Sequence, residues 1–140
     1  MSRLKNLFKR DGNKLIVFIT AGFPKKESTE DLVLQAIEAG ADMIEVGIPF
    51  SDPQADGPII QKANEWALSN GISLPIIFDQ IRSIRKKTDI PIALMGYYNP
   101  ILAYGIDSFL NDCKISQIDG IILPDLPLEE GTFFCEKAKS

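Results

Sequence analysis

Three acidic side chains lie close together in the chain, one inside an apolar segment and two in the loop that follows it. Glu45 stands within residues 43–48, whose branched apolar neighbours are typical of a buried strand. A carboxylate in such surroundings needs either a partner or a function. Asp52 and Asp56 follow in a loop that its prolines and glycine stiffen. Two acids held near each other can divide the work of general acid and general base.

Composition strengthens the case for carboxylates. The 140 residues include no histidine, the side chain that most often transfers protons near neutral pH. The two cysteines, Cys113 and Cys135, lack the close spacing of metal ligands. We therefore expect reduced thiols, with no metal site and no disulfide framework.

Charge and hydropathy exclude several classes of protein. The 15 basic and 19 acidic residues give a formal charge of −4, and no basic stripe is interleaved with aromatic residues, so nucleic acid is not an expected partner. The basic start and the apolar run after it imitate a signal peptide, but Asp11 interrupts the pattern and Pro24 stands where small residues would be needed. No apolar run is long enough to cross a membrane. We expect a cytoplasmic protein.

Hydrophobic periodicity predicts four strands, each followed by at least one helix. The strands are predicted at residues 15–20, 43–46, 90–95 and 120–123. Helices are predicted at residues 2–10, from a cap at Ser28 or Thr29 to Gly40, and at residues 59–69, 74–87, 101–104, 106–114 and 129–139.

This order of elements predicts an α/β fold with a parallel sheet, because the strands are almost continuously apolar and recur about every 30 residues. An open doubly wound sheet and part of an eight-stranded barrel both satisfy the pattern. No GxGxxG sequence follows the first strand, so a dinucleotide-binding fingerprint is absent. The Gly- and Pro-rich segments follow the strands, where barrel enzymes carry their active sites, and this favours a (β/α)8 TIM barrel.

Five sequence segments are distinctive: FITAGFP at residues 18–24, IEVGIPFSDP at 44–53, ADGPIIQ at 55–61, MGYYNP at 95–100 and LPDLP at 123–127. Together they resemble one known family, the alpha subunit of tryptophan synthase. The second and third segments are the most specific, and the resemblance extends over nearly all of the chain.

The resemblance implies a lyase of tryptophan biosynthesis. Members of the family form a single (β/α)8 barrel and cleave indole-3-glycerol phosphate to indole and glyceraldehyde 3-phosphate. This subunit needs no cofactor of its own. It docks on a pyridoxal-phosphate beta subunit in an α2β2 heterotetramer, through a surface that residues 49–56 and the Asn99-Pro100 segment resemble.

The resemblance also implies roles for individual residues. Glu45 and Asp56 match the two catalytic acids: Glu45 would carry a proton between the glyceryl hydroxyl and the indole carbon, and ionised Asp56 would accept a hydrogen bond from the indole N–H. The substrate-binding residues implied around the indole ring are Phe18, Ile60, Met95, Tyr97, Ile122 and Pro124, with Asp125 nearby.

Each assignment has a structural alternative. Glu45 could belong to an ion pair in the barrel wall, and Asp56 could cap the helix that starts near Ile59. Asp52 could only shape its turn through an Asx contact. The apolar residues of the implied pocket could be ordinary core, and Tyr97 could simply cover a loop.

The length of the chain bears on its function, since a (β/α)8 barrel needs roughly 250 residues. We expect residues 1–140 to be the first half of one barrel domain, comprising four βα units and ending within the fourth barrel helix. The loops that hold the phosphate would belong to the later half. Two alternatives to the lyase stay open: a non-catalytic piece that docks on the beta subunit, and another phosphate-binding barrel enzyme.

Overall fold

A computed structural model describes residues 3–139, with strands and helices alternating along the chain. The strands are β1 (Ile16–Thr20), β2 (Met43–Gly47), β3 (Ile92–Met95) and β4 (Gly120–Ile122). The helices are α1 (Arg3–Lys9), α2 (Ser28–Glu38), α3 (Pro58–Ser69), α4 (Leu74–Arg85), α5 (Tyr98–Tyr104), α6 (Ile106–Ile115) and α7 (Leu128–Lys139).

The four strands form one parallel sheet in chain order, β1-β2-β3-β4. In the register, Phe18 lies opposite Glu45 and Glu45 opposite Ala93. Because side chains alternate between the two faces of a strand, Phe18 and Glu45 share one face, which we call the inner face. The α/β class and the parallel order predicted from the sequence are confirmed, and the chain forms four successive βα units.

Helices cover the other face of the sheet and build the main core. Strand residues such as Ile44, Val46 and Leu94 are fully buried there. Helix α4 presents its apolar stripe to them, since Ile77, Phe78, Ile81 and Ile84 are each at most 1% exposed. The inner residues predicted for this helix, Ile77, Ile81 and Ile84, are therefore confirmed. This core fixes the strands and thereby the inner face.

Helix α1 closes the inner face where the strands begin. Its Leu7 packs with Met43 and Ala93 in a second, smaller cluster. The Arg3 guanidinium pairs with Asp89 at 2.9 Å and with Asp119 at 3.3 Å, and both acids belong to connections that lead into strands. Helix α1 thus fills the inner face where the strands begin. The part of the inner face where the strands end stays available for other groups.

Two predicted local features are wrong. Neither Ser28 nor Thr29 caps α2: the helix begins at Ser28, and the buried Thr29 hydroxyl accepts a hydrogen bond from the Gly22 N–H at 3.0 Å. The helix predicted at residues 101–104 begins earlier, at Tyr98. Pro100 is compatible with this start, because the first-turn N–H groups of a helix have no partner within the helix.

Candidate active site

Glu45 lies in the middle of β2, on the inner face of the sheet. Its neighbours in the register are Phe18 and Ala93, and the side chain is half-buried. Within residues 3–139 the Glu45 carboxylate takes part in no ion pair and no hydrogen bond. The ion-pair alternative therefore finds no support here. A partly desolvated acid without a partner is a candidate for proton transfer.

Gly47 makes room for the Phe18 ring next to Glu45. A Cβ atom at position 47 would lie 2.4 Å from Phe18 Cζ and 2.8 Å from Phe18 Cε2. The half-buried ring therefore lies directly over the Gly47 backbone at the carboxyl end of β2. This places an apolar surface on the same face as the carboxylate.

In a complete barrel that contains residues 1–140, the Gly47→Ala substitution should lower the stability by about 1–3 kcal/mol, because the added methyl group forces the Phe18 ring out of position. The free energy of unfolding in urea measures this cost. In a Phe18→Ala background the penalty should vanish, since the clash is then absent. Gly57→Ala is a matched control, as a Cβ there meets nothing within 4 Å. A cost of Gly47→Ala that persists unchanged in the Phe18→Ala background would contradict this account of Gly47.

Asp56 lies in the loop between β2 and α3 and is held by the helix that follows. Asn64 Nδ2 donates a hydrogen bond to Asp56 Oδ2 at 3.1 Å, and Gln61 Nε2 donates to the Asp56 carbonyl oxygen at 2.9 Å. The N-cap residue of α3 is Gly57, and no side chain caps this helix. The helix-capping alternative for Asp56 is therefore wrong.

Tyr97 joins the end of β3 to the same loop. Its hydroxyl oxygen accepts a hydrogen bond from the Ala55 N–H at 2.9 Å, and its ring packs on Phe50 with centroids 5.4 Å apart. Burial, together with the Asp56 carboxylate, raises the pKa of the Tyr97 phenol, which therefore stays protonated. Tyr97 therefore covers a loop, which was the structural alternative to a binding role. That loop carries Asp56.

The other residues implied for the indole pocket lie on the strands, on α3 and in the loop after β4. Met95 and Ile122 are register partners on adjacent strands, half-buried, on the same face as Glu45. Ile60 is half-buried in the first turn of α3, whereas Pro124 and Asp125 are exposed in the loop after β4. Both Asp125 carboxylate oxygens lie 3.0 Å from the Tyr98 N–H, at the start of α5.

Other kinds of site find little support among residues 3–139. No group of three or more His, Cys, Asp or Glu side chains in this range could hold a metal ion. Burial raises the pKa of the Cys113 thiol to about 12, so this cysteine is not a nucleophile near neutral pH. No helix in the same range is long and apolar enough to cross a membrane.

Two amide side chains at the site were missed by the sequence interpretation. Gln61 and Asn64 are three residues apart, so they lie on one face of α3. Asn64 is only 4% exposed, and buried amides need partners. The signal was available, because a Q-x-x-N pattern directly follows the acidic loop in the sequence.

Comparison with known sequences decides the family. A family profile described as the tryptophan synthase alpha chain matches residues 4–140. The chain belongs to this family. The alpha chain of Petrotoga mobilis is 48% identical over 139 residues, covering 99% of this chain and 54% of its own length. That of Geotalea daltonii is 49% identical over 138 residues, covering 96% and 52%. The chain thus spans about half the length of these relatives.

Solved structures of tryptophan synthase alpha chains have the same fold. The alpha subunit of Legionella pneumophila aligns with a TM-score of 0.94 at 41% identity, over 99% of this chain and 55% of that subunit. A chain of the tryptophan synthase complex from Pyrococcus furiosus aligns with a TM-score of 0.85 at 44% identity, over 90% and 52%. The four βα units are therefore those of the family's TIM barrel, as predicted.

Proposed function

We propose that residues 1–140 are the first half of a single TIM-barrel domain and supply the catalytic acids of a tryptophan synthase alpha subunit. The complete barrel would act as a carbon–carbon lyase. It would cleave indole-3-glycerol phosphate to indole and glyceraldehyde 3-phosphate in tryptophan biosynthesis. Membership of the family along nearly the whole chain supports this reaction over that of another phosphate-binding barrel enzyme.

The observation that carries the proposal is the Glu45 carboxylate, which lies on the inner face beside Phe18 and has no partner among residues 3–139. Cleavage requires a proton on the indole carbon that bears the glycerol chain, and removal of the proton from the glyceryl hydroxyl. Glu45, held by a strand, would transfer both protons. Phe18, Met95 and Ile122 on the same face would pack against the indole ring.

Asp56 would complete the chemistry at the other end of the ring. Positive charge builds at the indole nitrogen when the ring carbon is protonated, and an ionised carboxylate that accepts the N–H bond stabilises that charge. The Asn64 and Gln61 bonds support this role, because they fix a loop residue in place before the substrate arrives. Ile60, Tyr97, Pro124 and Asp125 would line or border the ring pocket.

Docking on a beta subunit is a second function that the surface supports. An apolar groove of about 460 Å³ lies beside the loop after β2, and its lining includes Pro49, Phe50 and Pro100. These are residues of the segments that resemble the family's docking surface. One related structure is that of an α2β2 complex from Pyrococcus furiosus. We propose the same heterotetramer for the complete subunit, in the cytoplasm, where the free thiols of Cys113 and Cys135 stay reduced.

Isolated residues 1–140 should not release indole, although Glu45 and Asp56 are present. We propose that the second half of the barrel holds the phosphate, without which remote binding energy cannot orient the reacting bond. In this chain β1 and β4 are edge strands, and a groove of about 1180 Å³ lies against β4, α6 and α7. We therefore expect an oligomeric or molten species rather than a compact monomer.

The test compares residues 1–140 with the same residues fused to the second half of the Petrotoga mobilis alpha chain. Indole release from indole-3-glycerol phosphate and sedimentation are measured for both proteins. The fusion protein should be active and the isolated chain inactive. A folded fusion protein without indole release would contradict the lyase proposal. Steady turnover by a monomer of residues 1–140 would show that the phosphate site is misplaced.

A further inference from the structure

We propose that Asn64 is a positioning residue that sets the orientation of the Asp56 carboxylate for the reaction. The inference rests on the proposed function, because it concerns the acid that would face the indole nitrogen. It assigns a role to a helix residue beyond the implied catalytic and pocket residues.

The first support is the burial of Asn64 and the nature of its partner. Its side chain is 4% exposed, in the middle of α3, and Nδ2 donates to Asp56 Oδ2 at 3.1 Å. A buried amide without a partner is costly, so the sequence must supply an acceptor here. The acceptor is the carboxylate of an acid in a loop, rather than a backbone carbonyl.

The second support is that Asp56 is held at two separate points by one helix. Gln61 binds its carbonyl oxygen at 2.9 Å and thereby fixes the backbone. The Asn64 bond restrains the side-chain torsions of Asp56 in addition, by holding one carboxylate oxygen. A hydrogen bond to an ionised acceptor is stronger than one between neutral groups. Asn64 can therefore set the direction in which the carboxylate faces.

The third support comes from the opposite side of the loop. The Tyr97 hydroxyl binds the Ala55 N–H, and the Asp56 carboxylate lies close enough to raise the pKa of that phenol. Asp56 thus lies between a tyrosine that follows β3 and an amide on α3. The side chains of Tyr97 and Asn64 are at most 5% exposed. Asn64 lies on α3, and Tyr97 lies shortly after the end of β3. Such neighbours hold an acid more rigidly than a mobile loop could.

In the active fusion protein, Asn64→Ala should lower kcat about ten- to hundredfold and change KM much less. A misdirected carboxylate loses a bond that becomes strong only as the indole nitrogen gains charge. Asn64→Asp should be at least as harmful, since it keeps the shape but replaces the N–H donor with a second acid. If Asn64 only filled space, Asn64→Asp would restore kcat, and that result would overturn the proposal.

A double-mutant cycle tests whether Asn64 acts through Asp56. In an Asp56→Asn background, Asn64→Ala should lower kcat by less than about twofold, because the carboxylate it orients is already absent. Asn70, the C-cap residue of α3, is the matched control: its side chain is also an amide, but it donates to the backbone oxygens of Gly22 and Pro24. Asn70→Ala should change kcat by the same factor in both backgrounds. If Asn64→Ala lowered kcat by the same factor in the parent and in the Asp56→Asn background, the proposal would be overturned.

A second measurement separates this proposal from the proposed function. The Asn64 side-chain amide signals in a ¹⁵N–¹H spectrum of the fusion protein can be assigned by their loss in Asn64→Asp. They should shift when Asp56 is replaced with Asn, whether or not the protein releases indole. Unshifted Asn64 signals would overturn the positioning role, even in an active enzyme. Shifted signals in an inactive protein would support the contact and contradict only the lyase function.

Discussion

Glu45→Gln should lower indole release at least a hundredfold in the fusion protein while leaving the fold intact. The substitution keeps the shape of the side chain and removes only the proton that it can exchange, and general acid–base catalysis typically contributes about 10²–10⁴-fold. Glu45 has no ion pair among the described residues, so its replacement should leave no other charge unpaired. Steady-state kinetics and urea unfolding measure the two effects separately.

Glu38→Gln is the matched control, since Glu38 is exposed at the end of α2. Its kcat and its free energy of unfolding should both equal those of the parent fusion protein. Retention of more than about a tenth of the parent turnover in Glu45→Gln would rule out proton transfer by Glu45. A large loss of stability in Glu45→Gln would show that the side chain supports the sheet instead.

Asp119→Ala should have the largest effect on stability, because it breaks a buried ion pair. The Asp119 and Arg85 side chains are 7% and 5% exposed and form an ion pair. Asp119 Oδ2 also accepts the Ile92 N–H at 2.9 Å. Burial lowers the pKa of the Arg85 guanidinium, and the Asp119 charge opposes that shift. Removal of the acid leaves a buried cation and an unpaired N–H, at a cost of about 3–5 kcal/mol.

Asp79→Ala provides the control for this experiment. Asp79 pairs with Arg82 on the same helix, but its side chain is 72% exposed. Loss of such a surface pair should cost less than about 1 kcal/mol. Urea unfolding of the fusion proteins compares the two substitutions, and a similar loss for both would show that the Asp119 network does not stabilise the fold.

The strands and their order could be predicted from the sequence because each strand is a compact apolar run between clear breaks. Residues 43–46 were predicted as a strand and lie in β2, which includes one further residue, Gly47. The start of α5 could not be predicted, because its first N–H is satisfied by Asp125, which is remote in sequence. Local patterns carry no information on such a contact.

The candidate site likewise combines features that the sequence predicts with features that depend on remote contacts. Glu45 was apparent from the sequence as an acid among apolar residues, and its place within a buried strand follows from that pattern. The contact between Tyr97 and the loop of Asp56 joins residues 42 positions apart, so it depends on the register of β2 and β3. Asn64 was within reach of sequence reasoning, but its burial becomes clear only when α3 is packed against the sheet.

The order of the sheet has a consequence for how the protein is made. Strands β2, β3 and β4 each pair with the strand that precedes them in the chain, so the pairing partner of each new strand has already left the ribosome. The amino-terminal helix α1 is available from the start to cover the beginning of the sheet. Strand pairing can therefore follow translation, one strand and its helix at a time, whereas stable packing of the inner face would need the second half of the barrel.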